Sequence, residues 1–354
     1  MKKALKITLK VIKWIVIVLI LLVLLALLVR FIGQRIYKKT PSGGINEEMM
    51  IDVNGSKQWI SIYGENKDNP VLLYLHGGPG EATSLYDYAY TRKWADVYTV
   101  VTWDQRNCGK SIPKKKDDSA ITYDQIMTDA IEVTKYVEDH LGKDKITILG
   151  HSWGSMLGAE LVYNYPELYD CFIGTGQVVD FADNEAAFKA AAEEWAAGDP
   201  EGMKLVEKYD PDKMDMEHFR TKNKIMQKYG YDMMHSGTDY SIFKTIYFNP
   251  YYSLFDIKDF ITADMDQYLD FLASDELKKF SLKDKKEYKV PFYNINGDMD
   301  YQANSKLAQE YFDSIKAPVK KMYIMKDMTH GLLASRSEEF SDIVHEIAKA
   351  EKIE

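Results

Sequence analysis

The stretch Ile146-Thr147-Ile148-Leu149-Gly150-His151-Ser152-Trp153-Gly154 decides the reading of this chain. Its first four residues are apolar or β-branched and predict a short buried strand. Gly150-x-Ser152-x-Gly154 then fits the pattern in which a serine stands on a sharp turn between a strand and a helix. The glycines leave room for that turn, and the hydroxyl is exposed above the end of the sheet. The plainer role for Ser152 is to cap the next helix.

Outward from this turn the pattern repeats. Val71–Leu75 is an apolar strand running into His76-Gly77-Gly78-Pro79-Gly80, and Val97–Trp103 is another running into Asp104-Gln105-Arg106-Asn107. Between the latter and Ile146 the spacing of Ile126, Ala130, Val133 and Val137 predicts a helix over 123–141. Met50–Val53 and Gln58–Tyr63 flank Asn54-Gly55 and predict a hairpin with a type I′ turn. Strands that are apolar throughout and alternate with helices imply an α/β class with a mostly parallel central sheet, helices on both faces. After Gly176 the strand succession stops, and residues 179–286 read as an inserted helical cap. It resumes with a strand over 290–296, a helix over 302–315, a strand over 321–325 and a helix over 338–350. The expected organisation is therefore core over 49–178, cap over 179–286 and core again over 287–354. Trp195, Phe243, Tyr247, Phe248, Tyr251, Tyr252 and Phe255 are expected to form the cap's own core, with some lining an apolar slot.

The 354 residues carry a formal charge of −9 that is unevenly spread. Residues 1–39 hold nine of the 45 Lys and Arg and no Asp or Glu, leaving 36 basic against 54 acidic residues in the body, a net −18. A body that acidic is a poor partner for a phosphate backbone, so nucleic-acid binding is not expected. Trp14–Val29 is unbroken apolar sequence. At 1.5 Å per residue it covers roughly 24 Å, and it reaches the ~30 Å of a bilayer's hydrocarbon if Lys13 and Arg30 snorkel. The run is longer than the ~7–15 apolar residues of a cleavable signal, and no small-residue cleavage site follows it. Residues 1–39 are thus read as a basic tail and transmembrane anchor, contacting the lipid bilayer through residues 11–32. Residues 40–48, with Pro41 and Gly43-Gly44, read as a tether. The expected topology is single-pass in the cell membrane with the catalytic body outside. Cys108 and Cys171 read as buried thiols, and no metal-ligand spacing or cofactor motif is present.

A serine hydroxyl needs a base to take its proton, and that base needs a carboxylate to orient it. Where the serine stands on such an elbow, the acid and then the histidine follow it in the chain. His330 lies in a loop just past the last strand, whereas His345 sits mid-helix. Asp298 and Asp300 both follow the penultimate strand; Asp300 leaves more loop to reach His330, and Asp298 suits a turn. Asp327 suits the shaping of the histidine's own loop. The expected catalytic residues are Ser152, Asp300 and His330. The backbone N–H groups of Gly78 and Trp153 are the expected oxyanion donors.

Together, the His76–Gly80 loop, Asp104-Gln105-Arg106-x-Cys108-Gly109-Lys110-Ser111, Gly150–Gly154, Gly297-Asp298-Met299-Asp300 and His330-Gly331 resemble the proline iminopeptidase family of α/β-hydrolases, over residues 70–177 and 290–335. The resemblance implies the α/β-hydrolase fold with a helical cap, no cofactor, the same triad and oxyanion donors, and release of an N-terminal residue from short peptides. Asn107 stands where the family has Gly, and Asn also tolerates a left-handed backbone. Glu81 stands where a further Gly is common. The family reads the substrate's free amino group with cap carboxylates; Glu185, Glu193 and Glu194 are the candidates for substrate binding here. The expected function is a membrane-anchored serine hydrolase of aminopeptidase type acting on a short peptide. A small ester substrate, taken by a carboxylesterase or lactonase of the same fold, is the alternative. The rival outside enzymology is a non-catalytic receptor on the same scaffold.

Overall fold

The computed structural model describes residues 2–115 and 119–351. Among these residues eight strands form one sheet: β1 Ile45–Val53, β2 Ser56–Gly64, β3 Val71–Leu75, β4 Thr99–Asp104, β5 Ile146–His151, β6 Tyr169–Thr175, β7 Phe292–Gly297 and β8 Lys320–Met325. Their order across the sheet is β1-β2-β4-β3-β5-β6-β7-β8. β1 and β2 pair antiparallel through a two-residue turn, with Val53 opposite Ser56. Asn54 and Gly55 both take positive φ there, 46° and 78°, as a type I′ turn requires. From β4 across to β8 every pairing is parallel.

Fourteen α-helices among the described residues accompany the sheet: α1 Lys2–Tyr37, α2 Tyr88–Thr91, α3 Tyr123–Leu141, α4 Trp153–Asn164, α5 Phe181–Trp195, α6 Pro200–Lys208, α7 Met216–Tyr229, α8 Ile242–Phe248, α9 Leu254–Ile261, α10 Asp266–Leu272, α11 Asp275–Lys278, α12 Ser305–Ser314, α13 Leu332–Ser335 and α14 Ser337–Ala350. All of β3 is buried, and its residues alternate between two cores. Val71, Leu73 and Leu75 face the core packed by α3, α4 and α12. Leu72 and Tyr74 face the one packed by Tyr90, Trp94 and α14. A strand with helices on both faces has no polar side, which is why its sequence reads as a continuous apolar run.

The sequence pattern missed β6. Tyr169–Thr175 is interrupted by the exposed Asp170 and by Gly174, so its apolar run is broken, and it pairs as a strand between β5 and β7. The segment from α5 to α11 is helical and has a small core of its own around Phe188, Val206, Tyr209, Ile225 and Met226.

The N-terminal helix is long and apolar enough to cross a membrane. The connection from this helix to the body differs from the tether expected over 40–48. β1 already begins at Ile45, and the remaining turn is closed by Gly44 N–H to the Pro41 carbonyl at 3.0 Å. The Asn46 amide reaches back to the carbonyls of Tyr37 and Lys39, and Arg92 donates to Tyr37 O at 2.9 Å. Pro and Gly serve here as turn residues, and no slack separates helix from body.

Candidate active site

Ser152 is placed at the end of β5 with φ 55° and ψ −118°, a backbone conformation that L-residues adopt only under constraint. The flanking glycines permit it. A Cβ at Gly150 would lie 2.1 Å from the Gly154 carbonyl oxygen, and one at Gly154 would lie 2.1 Å from the Leu75 carbonyl oxygen. The turn is held by the Ser152 N–H donating to Thr175 O at 2.9 Å. Ser152 is half-buried and its side chain makes no capping bond to α4, so helix capping does not account for it.

The glycine loop after β3 runs against the serine: a Cβ on Gly77 would stand 3.3 Å from that of Ser152. Gly78 has φ 118°, a region open to glycine and strained for other residues. Its N–H and that of Trp153, the first residue of α4, have no acceptor among the described residues. First-turn N–H groups have no partner within their helix, so Trp153 contributes an unspent donor beside Ser152. His76 braces the loop. Its Nδ1 meets Gly77 O at 2.7 Å and its Nε2 accepts from the Gln105 N–H at 3.3 Å. Burial pushes its pKa down to about 4, so it stays a neutral strut. The Asp104–Ser111 motif is a second brace. Arg106 binds Asp129 in a two-pronged pair at 2.7 and 2.8 Å, and Gln105 Oε1 accepts from the Trp153 indole at 2.9 Å. Asn107 takes the left-handed φ of 58° and bonds Gln267 of α10.

Asp300 and His330 are brought together from the loops after β7 and β8, with Oδ2 to Nδ1 at 2.7 Å, both buried. The other carboxylate oxygen accepts from the N–H groups of Gln302 and Ala303, each at 2.9 Å, which fixes the acid's orientation. Asp298 accepts a long bond from Met328 N–H, and Asp327, at φ 56°, shapes the turn. His345 lies on α14 and pairs with Asp96 at the surface. The His330 ring stands 4.7 Å from the ring of His151, and Gly176 leaves space for it: a Cβ there would be 2.7 Å from Cε1. Burial, then the neighbouring His330, holds the His151 pKa well below the usual imidazole range. The Ser152 hydroxyl makes no hydrogen bond to His330 in this structure. Such contacts often close only when substrate is bound.

The three cap glutamates fare differently from expectation. Glu185 is buried and already spent: Lys222 Nζ lies 2.7 Å from one oxygen, and Tyr209 and His218 meet the other. Burial would raise its pKa, but the Lys222 charge and those hydrogen bonds together hold it well below the usual carboxylate range. A carboxylate so matched has no charge left for a substrate ammonium. Glu193 and Glu194 are exposed near the end of α5, with no hydrogen bond or ion pair to the site among the described residues.

The carboxylate that does stand at the site is Glu81, immediately after the glycine loop. Its Cβ lies 3.4 Å from where a Gly78 Cβ would be, next to the candidate oxyanion donor. It is open to solvent and has no ion pair among the described residues. The protein around its carboxyl raises its pKa, opposed by charge on His330. Its departure from glycine was the available signal in the sequence.

Strand order, elbow and cap together define an α/β hydrolase, and residues 70–206 match the family model described as alpha/beta hydrolase fold. Within that class the likeness is to aminopeptidases: the chain is 27% identical to a probable aminopeptidase, YbaC, of Bacillus subtilis over 79% of this chain and 89% of that one. It is 32% identical to a proline iminopeptidase of Heyndrickxia coagulans, over 34% of this chain and 39% of that one. The crystal structure of proline iminopeptidase from Mycobacterium smegmatis superposes with TM-score 0.60 at 18% identity, covering 86% of this chain and 98% of the other. The chain is a hydrolase of the α/β-hydrolase fold, similar to the proline iminopeptidases.

Proposed function

We propose that this chain is a membrane-anchored serine hydrolase of aminopeptidase type, releasing N-terminal residues from short peptides through an acyl-enzyme on Ser152. The observation that carries the reading is the buried Asp300–His330 pair at 2.7 Å, set beside a serine at positive φ with two unspent N–H groups around it. His330 Nδ1 donates to Asp300, so Nε2 is the atom available to take the Ser152 proton. Oγ then attacks the carbonyl carbon, and the oxyanion is met by the N–H groups of Gly78 and Trp153. The imidazolium returns its proton to the leaving amine, and the C–N bond breaks. Water, deprotonated by the same imidazole, hydrolyses the ester and frees Ser152.

An aminopeptidase must also hold the substrate's ammonium close to the scissile carbonyl. Glu81 supports this: it is a carboxylate without an ion pair next to the candidate oxyanion loop, and an ammonium approaching Ser152 would supply its missing partner. Anchoring through α1 is supported by Arg30, which is only 4% exposed against the body; cleavage after the apolar run would remove contacts the fold uses.

A panel of prolyl and other aminoacyl anilides, their N-acetylated forms and simple esters tests the proposal. The expected result is cleavage of the free-amino anilides, lost on acetylation. Activity on esters alone, indifferent to a free amine, would overturn the aminopeptidase reading in favour of an esterase.

A further inference from the structure

Outside α1, the most exposed large apolar side chains among the described residues are Phe243 at 84%, Phe255 at 78% and Ile261 at 70%. All three lie on α8 and α9, with Leu254 beside them. The sequence placed Phe243 and Phe255 in the cap's core, and the structure puts both outside. Such a concentration of bare apolar surface marks an interaction site.

The position of α8 identifies what it meets. α8 packs against α1: the Phe248 ring occupies the space beside Gly33, where a Cβ would lie 2.1 Å away. Arg30 donates to the carbonyls of Tyr247 and Tyr252, and Gln34 to those of Asn249 and Tyr252. The Tyr247 hydroxyl reaches further and donates to the carbonyl of Ala26. Ala26 lies inside the unbroken apolar run, four residues and about 6 Å along the helix from Arg30. α8 is therefore held at the depth of the apolar segment, and Phe243, one turn from Tyr247, shares its side of the helix. α9 carries apolar side chains both inward and outward. Ile257 and Phe260 pack inward on the cluster of Trp59, Tyr251 and Tyr252, while Leu254, Phe255 and Ile261 point out. Its outward charges, Lys258 and Asp259, pair with each other at 3.2 Å.

We propose that the outer face of α8 and α9 is a second lipid-contacting surface, seated among the acyl chains of the leaflet that the C-terminal end of α1 crosses. The proposal rests on the reading of α1 as a membrane span. It makes the body a hydrolase sunk cap-first into the bilayer at a fixed attitude.

The test uses the full chain carrying one added cysteine at a time, Phe243→Cys, Phe255→Cys, Leu22→Cys in α1 or Glu201→Cys on α6, labelled with an environment-sensitive fluorophore. Cys108 and Cys171 are buried, and the unsubstituted chain reports their background. In phosphatidylcholine–phosphatidylglycerol vesicles containing doxyl-labelled lipid, the probes at 243, 255 and 22 are expected to emit blue-shifted and be quenched at least twofold, with the probe at 201 unaffected. Water-like emission at 243 and 255 with quenching at 22 would overturn the proposal and leave the anchor standing. Blue emission at 243 and 255 without lipid quenching would assign the face to a second copy of the chain and overturn it equally. No quenching at 22 would remove the anchor, and this proposal with it.

Discussion

Two buried carboxylate clusters, one in the core and one in the cap, use the same residue types to opposite ends. Asp300 holds His330 through one oxygen, and its other oxygen is satisfied by two backbone N–H groups. No lysine or arginine among the described residues is bound there, and the imidazole's second nitrogen is left without a partner. Glu185 is surrounded by Lys222, His218 and Tyr209, and every partner is consumed in matching its charge. Burial and ionisable residues are common to both; what separates them is unspent bonding capacity. The cap cluster holds α5 against α7, and the core cluster is the one the proposed reaction uses.

The largest effect that would break this contrast lies at Ser152. Ser152→Ala is expected to lower kcat/KM by about 10⁴-fold or more and to abolish labelling by a fluorophosphonate probe, and Asp300→Asn to lower kcat by about 10⁴-fold with the protein still folded. Labelling retained in Ser152→Ala would place the nucleophile elsewhere. Glu185→Gln is expected to cost about 3–5 kcal/mol in denaturant unfolding, because Lys222 is left buried without a counter-charge, while KM per folded enzyme stays near wild type. A raised KM with unchanged stability would instead return Glu185 to substrate binding.

Asp87 is the intermediate case, a buried carboxylate with no ion pair among the described residues. Burial first, then the charge of Asp104, pushes its pKa up to about 7. The folded state thus binds a proton that the unfolded chain, at an ordinary pKa near 3.9, releases earlier. This contribution is neutral below about pH 4, grows as pH rises, and is fully destabilising above about pH 7. Asp87→Asn should remove it, so that relative to wild type the variant gains up to ~4 kcal/mol between pH 4 and 7.5, by the linkage of ~1.4 kcal/mol per pKa unit. Parallel stability curves would refute the assignment. The smallest expected change is at Glu81. Glu81→Gln should raise KM for free-amino anilides roughly 10- to 100-fold, in line with ~1.4–3 kcal/mol for a charge-assisted hydrogen bond, and leave ester turnover alone. Equal losses on both substrates would show that Glu81 supports the loop and not the ammonium.

Most of the core was legible because its signals are local. The helix over 123–141 is written in apolar spacing and is realised as Tyr123–Leu141, with a Thr122 cap and Gly142 in a left-handed terminus. The serine turn was legible because two glycines two residues either side of Ser152 are sterically demanded within the same short segment. Asp300 and His330 lie 30 residues apart, yet chain order and loop length sufficed to pair them, since parallel strands deliver successive loops to one edge of the sheet. β6 was missed because Asp170 and Gly174 break its apolar run, although it pairs as a strand with β5 and β7.

The sequence by itself determined the alternation of elements, the serine turn, the pairing of the Asp300 and His330 loops and the apolar N-terminal run, each written in neighbouring residues or in a fixed order of motifs. Only the tertiary structure decided which charges are spent and which are available. Glu185 meets Lys222 37 residues away, Arg30 meets a carbonyl 222 residues away, and Phe243 and Phe255 are left bare because the cap's interior fills with other side chains. Short-range periodicity sets where a residue points along its own element. Whether it then finds a counter-charge, a carbonyl or lipid depends on surfaces that meet only when distant segments pack.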